Sequence, residues 1–142
     1  MKKEVLDYLK SQRVGVLAVE MLDGSPHAAT MHFAHTEDPL LFYFETSHEY
    51  RKTEPLFVRE TTRASLVIGS SEEEMKTLQL DGTVQLLKSD ESELFDSVYF
   101  KKFPDKREKY KDQKLSLFKF VPTWWRFTDW TTPQGKTILT SE

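Results

Sequence analysis

The sequence has 142 residues, of which 38% are hydrophobic and 30% are charged, and its formal net charge is −3. This composition is typical of a globular protein rather than a disordered chain, and its length suits one domain over residues 1–142. The acidic charge gives no general attraction to nucleic acid, and the lack of cysteine excludes disulfides, thiol nucleophiles and cysteine metal sites. No apolar run is long enough to cross a membrane, so a cytoplasmic protein without membrane contact is expected.

Hydrophobic periodicity predicts the secondary structure in chain order. Amphipathic spacing predicts helices at residues 2–11, about 48–59, and from residue 89 onward. Apolar, β-branched and aromatic runs predict six or seven strands, at residues 13–20, 27–35, 40–45, 62–69, 75–87, 115–121 and 124–130. Asp23-Gly24 indicates a hairpin, and Gly82 indicates a bulge or a barrel corner. Because no regular strand–helix alternation occurs, the sequence predicts a mainly β protein, an antiparallel closed sheet or barrel with covering helices.

The remaining stretches are less patterned. Residues 70–74 predict a polar loop, residues 101–112 predict a solvated helix or loop of mixed charge, and residues 131–142 predict a polar tail. A turn at Pro122 is expected to separate the last two strand segments. Pro55 requires the second helix either to start late, with Thr53 as its cap, or to bend.

The junction after the third strand is the best candidate for an anion site. Thr46 and Ser47 are N-cap residue types, and a helix start favours anions because its N–H groups are unpaired. Arg51 and Lys52 add positive charge directly after them. Taken alone, the segment favours an ordinary strand–helix junction with solvated basic residues over a phosphate site. Evidence for a phosphate site therefore has to come from other parts of the chain.

Other chemistries have little support in the sequence. His27 and His35 lie far apart on one face of a strand and His32 lies on the other, so no metal site is predicted. Neither a Gly-x-Ser-x-Gly elbow nor a glycine-rich phosphate loop occurs. Aromatic and basic residues alternate in residues 118–127, but the acidic net charge argues against nucleic-acid binding.

Four segments, in this order, carry a family resemblance. They are Val14-Gly-Val-Leu-Ala-Val19 with Asp23-Gly-Ser-Pro-His27, Leu41-Phe-Tyr-Phe-Glu-Thr46 with Lys52, Arg63-Ala-Ser-Leu-Val67, and Leu78-Gln-Leu-Asp-Gly82-Thr-Val. Over residues 3–130 the chain resembles the FMN-binding split-barrel proteins related to pyridoxamine 5′-phosphate oxidase. The resemblance implies a six-stranded antiparallel split β-barrel that forms a homodimer with FMN at the interface.

The resemblance also implies a set of cofactor-binding residues. They are Thr30, Met31, His32, Glu45, Thr46, Ser47, Arg51, Lys52, Gln79 and Trp124. The two basic residues would hold the FMN phosphate, the hydroxyl pair would donate to it or to the ribityl chain, and the second-strand residues would lie along the isoalloxazine. Gln79 or Thr77 would reach the ring or ribityl group, and Trp124 or Trp125 would cover the flavin from the partner chain.

The chain departs from the family pattern at three places. Its second strand lacks the basic motif of the oxidases, and near the C-terminus it has only Arg126 after Lys119 instead of an arginine- and histidine-rich substrate motif. The resemblance therefore implies no oxidation of pyridoxamine phosphate. Glu54 and Pro55 stand where the family often has asparagine, which alters the helix beside the phosphate site.

The function that follows is an FMN-dependent oxidoreductase of unknown substrate, with a small-molecule electron donor or acceptor. The flavin performs the redox chemistry, and no catalytic residue is assigned, although His32 is a candidate because imidazole titrates near neutrality. The alternatives are a non-catalytic flavin-binding or stress-related binding protein, and the same fold with a deazaflavin or haem.

Overall fold

The computed structural model describes residues 1–69 and 71–142. Its α-helices are Lys3–Ser11 (α1), Glu54–Val58 (α2), Ser92–Lys102 (α3) and Pro104–Lys109 (α4), and 3-10 turns precede α2 at Arg51–Thr53 and α3 at Ser89–Glu91. Its strands are Val14–Glu20 (β1), Pro26–His32 (β2), Ala34–Glu37 (β3), Leu40–Ser47 (β4), Thr62–Ile68 (β5), Lys76–Leu86 (β6), Leu115–Asp129 (β7) and Thr137–Thr140 (β8).

These strands form one antiparallel sheet in the order β2-β1-β5-β6-β7-β4-β3, and β8 pairs with β7. The two ends of this order, β2 and β3, are consecutive in the chain and separated only by Phe33, so the sheet curls back on itself. Six strands have seven residues or more, whereas β3 and β8 have four each. The predicted mainly β, antiparallel barrel with covering helices is therefore confirmed, and the two short strands are additions to the six long ones.

The strand β4 is buried on both faces. On one face Phe44 stacks on Phe118 of β7, with ring centroids 5.2 Å apart, inside the main core. On the other face Tyr43 meets Phe95 of α3 edge-on at 6.0 Å, in a second aromatic cluster. Because each face has its own core, the residues that end this strand are held in a fixed position.

Gly82 marks the bulge that the sequence predicts. The β6–β7 register shifts between Asp81 and Gly82, and a Cβ on Gly82 would lie 2.1 Å from the Val121 carbonyl oxygen. This irregularity lets β7 run through Pro122, which has no N–H to donate, without a turn. The predicted turn at Pro122 is wrong, and one strand of 15 residues replaces the two predicted segments.

Other element boundaries differ from expectation. The predicted strand at residues 27–35 divides into β2 and β3, because the chain passes from one end of the sheet to the other at Phe33. The predicted polar tail contains β8, which pairs with the end of β7. Of the predicted loop at residues 70–74, Ser70 lies outside the described residues and residues 72–75 form a turn. In the described part of the chain, no helix is long and apolar enough to cross a membrane.

Gly82→Ala tests the close approach at the bulge. We expect the free energy of unfolding to fall by about 3 kcal/mol, because the new methyl group meets backbone atoms that cannot move aside. Urea denaturation measures this loss. Gly24→Ala is the control, since Gly24 has positive φ but open space around it and should lose only about 1 kcal/mol. Equal losses in the two variants would contradict the close approach.

Candidate functional site

A pocket of about 590 Å³ opens where β2, the end of β4 and α4 meet. It brings together eight of the predicted cofactor-binding residues: Thr30, Met31, His32, Glu45, Thr46, Ser47, Arg51 and Lys52. The other lining residues are His27, Ala29, Glu49, Tyr50, Lys106, Tyr110, Gln113 and Leu115. The pocket therefore joins segments from both halves of the chain.

The predicted helix cap at Thr46 and Ser47 is wrong. Both residues belong to β4 and pair with Ser116 and Leu115 of β7, because the strand ladder satisfies their backbone groups. The turn that follows is anchored by His48, whose Nδ1 lies 2.5 Å from the Ser116 hydroxyl. The hydroxyls that line the pocket are thus presented by a strand end, and no helix dipole acts on them.

The helix after this turn starts late, which is one of the two predicted alternatives. It begins at Glu54, so Pro55 lies in the first turn, where its missing N–H costs nothing. Thr53 occupies the cap position, but its hydroxyl lies 2.9 Å from the His48 carbonyl oxygen and 2.7 Å from that of Tyr50, so its one proton is shared between these two acceptors. These bonds close the loop that carries the two basic residues.

Lys52 is a buried cation that lines the pocket. Only 7% of the residue is exposed, and its Nζ lies 4.3 Å from the centre of the Tyr50 ring. Burial lowers the pKa of the Lys52 amine. Within the described ranges it forms no ion pair with an acidic residue. Since a buried charge is costly until it is paired, the pocket beside Lys52 favours an anion, and the exposed Arg51 next to it in the chain adds to that preference.

A second charged group lies in the pocket wall between β4 and α4. Lys106 Nζ lies 3.5 Å from Glu45 Oε1 and donates to the Tyr99 hydroxyl at 3.1 Å. The side chains of Lys106 and Glu45 are only 14% and 6% exposed. Burial, together with the negative charge of Glu45, raises the pKa of Tyr99. The prediction that residues 101–112 are solvated is wrong for Lys106, because its partners lie far away in sequence.

The β2 wall presents the edge of the sheet. Because β2 pairs with β1 alone among the strands that the structure describes, its other edge offers unpaired backbone N–H and C=O groups. Met31 is buried, and the His32 ring packs edge-on against Phe103 at 5.2 Å. Burial and the positive charge of Lys106 lower the pKa of His32. At neutral pH this wall therefore carries a neutral imidazole beside backbone groups that can bind a flat polar ligand.

Gln79 and Trp124 do not line the pocket. They lie on the outer face of the sheet, where Gln79 Oε1 accepts two hydrogen bonds from Arg126, at 2.8 and 3.2 Å. One row of this face runs in register through Thr30, Val16, Val67, Gln79 and Arg126. Trp125, on the opposite side of β7, lines a separate cavity of about 720 Å³ beside the chain termini. These assignments stay predictions, since the pocket of a single chain does not include them.

The sequence does not predict that four neighbouring residues near α4 line the pocket. Lys106, Tyr110, Gln113 and Leu115 come from α4 and the chain that leads into β7. Tyr110 is a weak local signal, an aromatic residue in a run of mixed charge. No group of three or more His, Asp or Glu residues in the part of the chain that the structure describes is placed to hold a metal ion.

A family model and several solved structures resemble this chain. The family model for pyridoxamine 5′-phosphate oxidase matches residues 1–129. The haem storage protein HutZ from Vibrio cholerae is 20% identical with a TM-score of 0.70, and the match covers 85% of this chain and 89% of HutZ. No curated protein matches the sequence.

Two further structures have the same fold. A FAD-binding protein from Mesorhizobium loti is 16% identical with a TM-score of 0.65, over 89% of this chain and 94% of that chain. A Clostridium acetobutylicum protein related to general stress protein 26 of Bacillus subtilis, of the pyridoxinephosphate oxidase family, is also 16% identical with a TM-score of 0.65, over 97% and 92% of the two chains. At these identities the likeness establishes the fold.

Lys106→Ala tests the buried ion pair. We expect a loss of about 3 kcal/mol in the free energy of unfolding, because the Glu45 carboxylate would stay buried without its cation. The control is Lys111→Ala, which breaks an exposed pair with Glu108 and should cost less than about 0.5 kcal/mol. Thermal or urea unfolding measures both, and a loss in Lys106→Ala as small as in the control would show that the pair is solvated.

Proposed function

Because the chain belongs to the pyridoxamine 5′-phosphate oxidase family, we propose that its pocket binds FMN and that the protein is a flavin-dependent oxidoreductase. The observation that carries this proposal is the buried Lys52, which has no acidic partner among the described residues. A phosphate is the anion that such a cation favours, and the exposed Arg51 would share it. The volume of about 590 Å³ is typical of a small-molecule site.

The residues of the pocket fit the parts of FMN. Lys52 and Arg51 would hold the phosphate, with the hydroxyls of Thr46 and Ser47 as donors beside it. The free edge of β2 would bind the polar rim of the ring through backbone groups. A bound flavin supplies hydride or electron transfer. The protein's own contribution is to orient the ring and to exclude water from it, and the neutral imidazole of His32 is a group that would accept a proton there.

The substrate differs from that of the true oxidases. The β2 wall has Thr30 and His32 where those enzymes carry a basic motif, and Arg126 is engaged by Gln79 on the outer face of the sheet. A pyridoxamine phosphate substrate would add a second phosphate, and this chain offers no second basic motif for it. We therefore propose a small-molecule electron donor and acceptor of other chemistry.

The proposal includes a homodimer with flavin bound at the interface between the two subunits. More exposed residues alternate with less exposed ones along β1, β2 and β5, which leaves an outer face that includes Val67, 37% exposed. A second copy on this face would cover that apolar surface. Gln79 and Trp124 lie on the same face, so in such a dimer they would be available to the partner's pocket.

Haem is a second candidate for the same pocket. His27 and His32 both line it, and neutral imidazole is an iron ligand. HutZ, described as a haem storage protein, shares the fold. The absorption spectrum separates the candidates, because a flavin gives its yellow bands and haem gives a Soret band. Reduction of the bound flavin by NADH or NADPH, followed by reoxidation, separates an oxidoreductase from a non-catalytic flavin-binding protein.

Lys52→Met tests the phosphate site. We expect the Kd for FMN to rise about tenfold or more, because a charge-assisted contact is lost, whereas the Kd for riboflavin, which has no phosphate, should not change. Quenching of flavin fluorescence measures both constants. Lys101→Met is the matched control, since Lys101 is exposed and outside the pocket. A wild-type protein that binds no FMN, or an equal loss for both flavins in Lys52→Met, would contradict the proposal.

Val67→Arg tests the dimer. A charge placed in the outer face should block association, because it would be buried without a partner, and sedimentation should then show a monomer. If the partner subunit completes the site, Val67→Arg should also bind FMN more weakly than the wild-type protein. Val58→Arg is the control, since Val58 on α2 is 70% exposed and outside this face. The dimer would be ruled out if wild-type protein sediments as a monomer with FMN bound.

A further inference from the structure

Glu45 carries a buried oxygen that nothing in the described chain satisfies. Both of its polar neighbours lie beside Oε1: Lys106 Nζ is 3.5 Å away, and the Tyr99 hydroxyl is also 3.5 Å away. Its Oε2 is buried and accepts no hydrogen bond from the residues that the structure describes. The side chain is 6% exposed and lines the pocket. Buried carboxylate oxygens are rarely left without a donor, because the lost hydration is costly, so a donor is expected to come from a ligand.

The surrounding charges decide what kind of donor this is. Lys106 lies beside the carboxylate, and Lys52 and Arg51 line the same pocket. A cationic ligand would meet these positive charges, so an ammonium or guanidinium group is disfavoured. The donor that remains is a neutral N–H or O–H. The phosphate end of a ligand is excluded from this position too, since the Glu45 carboxylate would repel it.

Lys106 requires the ligand to have a hydrogen-bond acceptor next to the group that donates to Glu45. An ammonium has three N–H groups, and here one is directed at the Tyr99 hydroxyl and one at Glu45 Oε1. The third is free to donate to an oxygen of the ligand. A carboxylate that accepts from N–H, beside an ammonium that donates to C=O, is complementary to an imide, in which an N–H lies directly next to a carbonyl.

We infer that Glu45 and Lys106 bind the imide edge of the ligand and so fix which end of it points away from Lys52. This inference deepens the proposed function, because the pyrimidine portion of a flavin has an imide edge. A uracil nucleotide presents the same edge together with a phosphate, so the chemistry has two sources. Tyr99 acts as a positioning residue, since its hydroxyl holds Lys106 and Glu45 in place.

The test compares FMN with its N3-methyl derivative, which lacks the imide N–H. Wild-type protein should bind FMN at least about tenfold more tightly than it binds the N3-methyl derivative, as expected for a hydrogen bond to a charged acceptor. In Glu45→Ala, FMN affinity should fall to the level of the methyl derivative. Glu108→Ala, which removes an exposed acid of α4, should keep the wild-type preference. Fluorescence titration measures the Kd of each protein for the two ligands, and thermal unfolding reports whether each variant is folded.

A second variant separates a loss of binding from a loss of folding. Glu45→Leu with Lys106→Met removes both charges together while keeping the volume, so no lone buried charge remains, and it should also lose FMN affinity. If FMN affinity in Glu45→Ala stays at the wild-type level, or if wild-type protein binds both flavins equally, the inference is overturned while the FMN proposal stands. If wild-type protein binds uridine monophosphate but no flavin, and Glu45→Ala does not bind it, the inference stands and the FMN proposal fails. Binding of neither ligand overturns both.

Discussion

The pairing of β4 with β7 is the constraint on which the pocket depends. It places Phe44 against Phe118 on the inner face and leaves Tyr43 to pack under α3 on the outer face. The strand is thus clamped between two cores, and its last three residues, Glu45 to Ser47, leave the sheet at a fixed position and direction. The carboxylate and the hydroxyls of the site are therefore ordered by aromatic packing before any ligand arrives, which lowers the entropic cost of binding.

Charge is divided within the pocket. Lys52 is a cation without a counterion in the described ranges, and Glu45 is paired with Lys106 through Oε1, whereas its Oε2 has no partner among the described residues. A ligand that is anionic at one end and carries a neutral donor at the other matches both. The buried groups thus impose a polarity on the ligand, and the edge of β2, being backbone, adds binding without adding charge.

The fold and eight pocket residues follow from the sequence, whereas the α4 wall does not. Strand periodicity, the Asp23-Gly24 hairpin and Gly82 are local signals and predict the barrel. Thr46 and Ser47 line the pocket as the end of a strand rather than as a helix cap, and the sequence does not separate the two because a hydroxyl pair before a turn looks alike in both. Lys106 gives no local signal at all, because only its long-range partners Glu45 and Tyr99 separate a buried lysine from a solvated one.

The free edge of β2 has a consequence for the protein's behaviour in solution. Unpaired strand edges are templates for the addition of another strand, and proteins usually cover or interrupt them. Here the edge begins at Pro26 but continues through small residues, Ala28 and Ala29, which offer little obstruction to a neighbouring strand. A ligand lying along this edge would act as its cover. Occupancy of the pocket would then govern resistance to aggregation, and depletion of the ligand would reduce the yield of dispersed protein before it changes the fold.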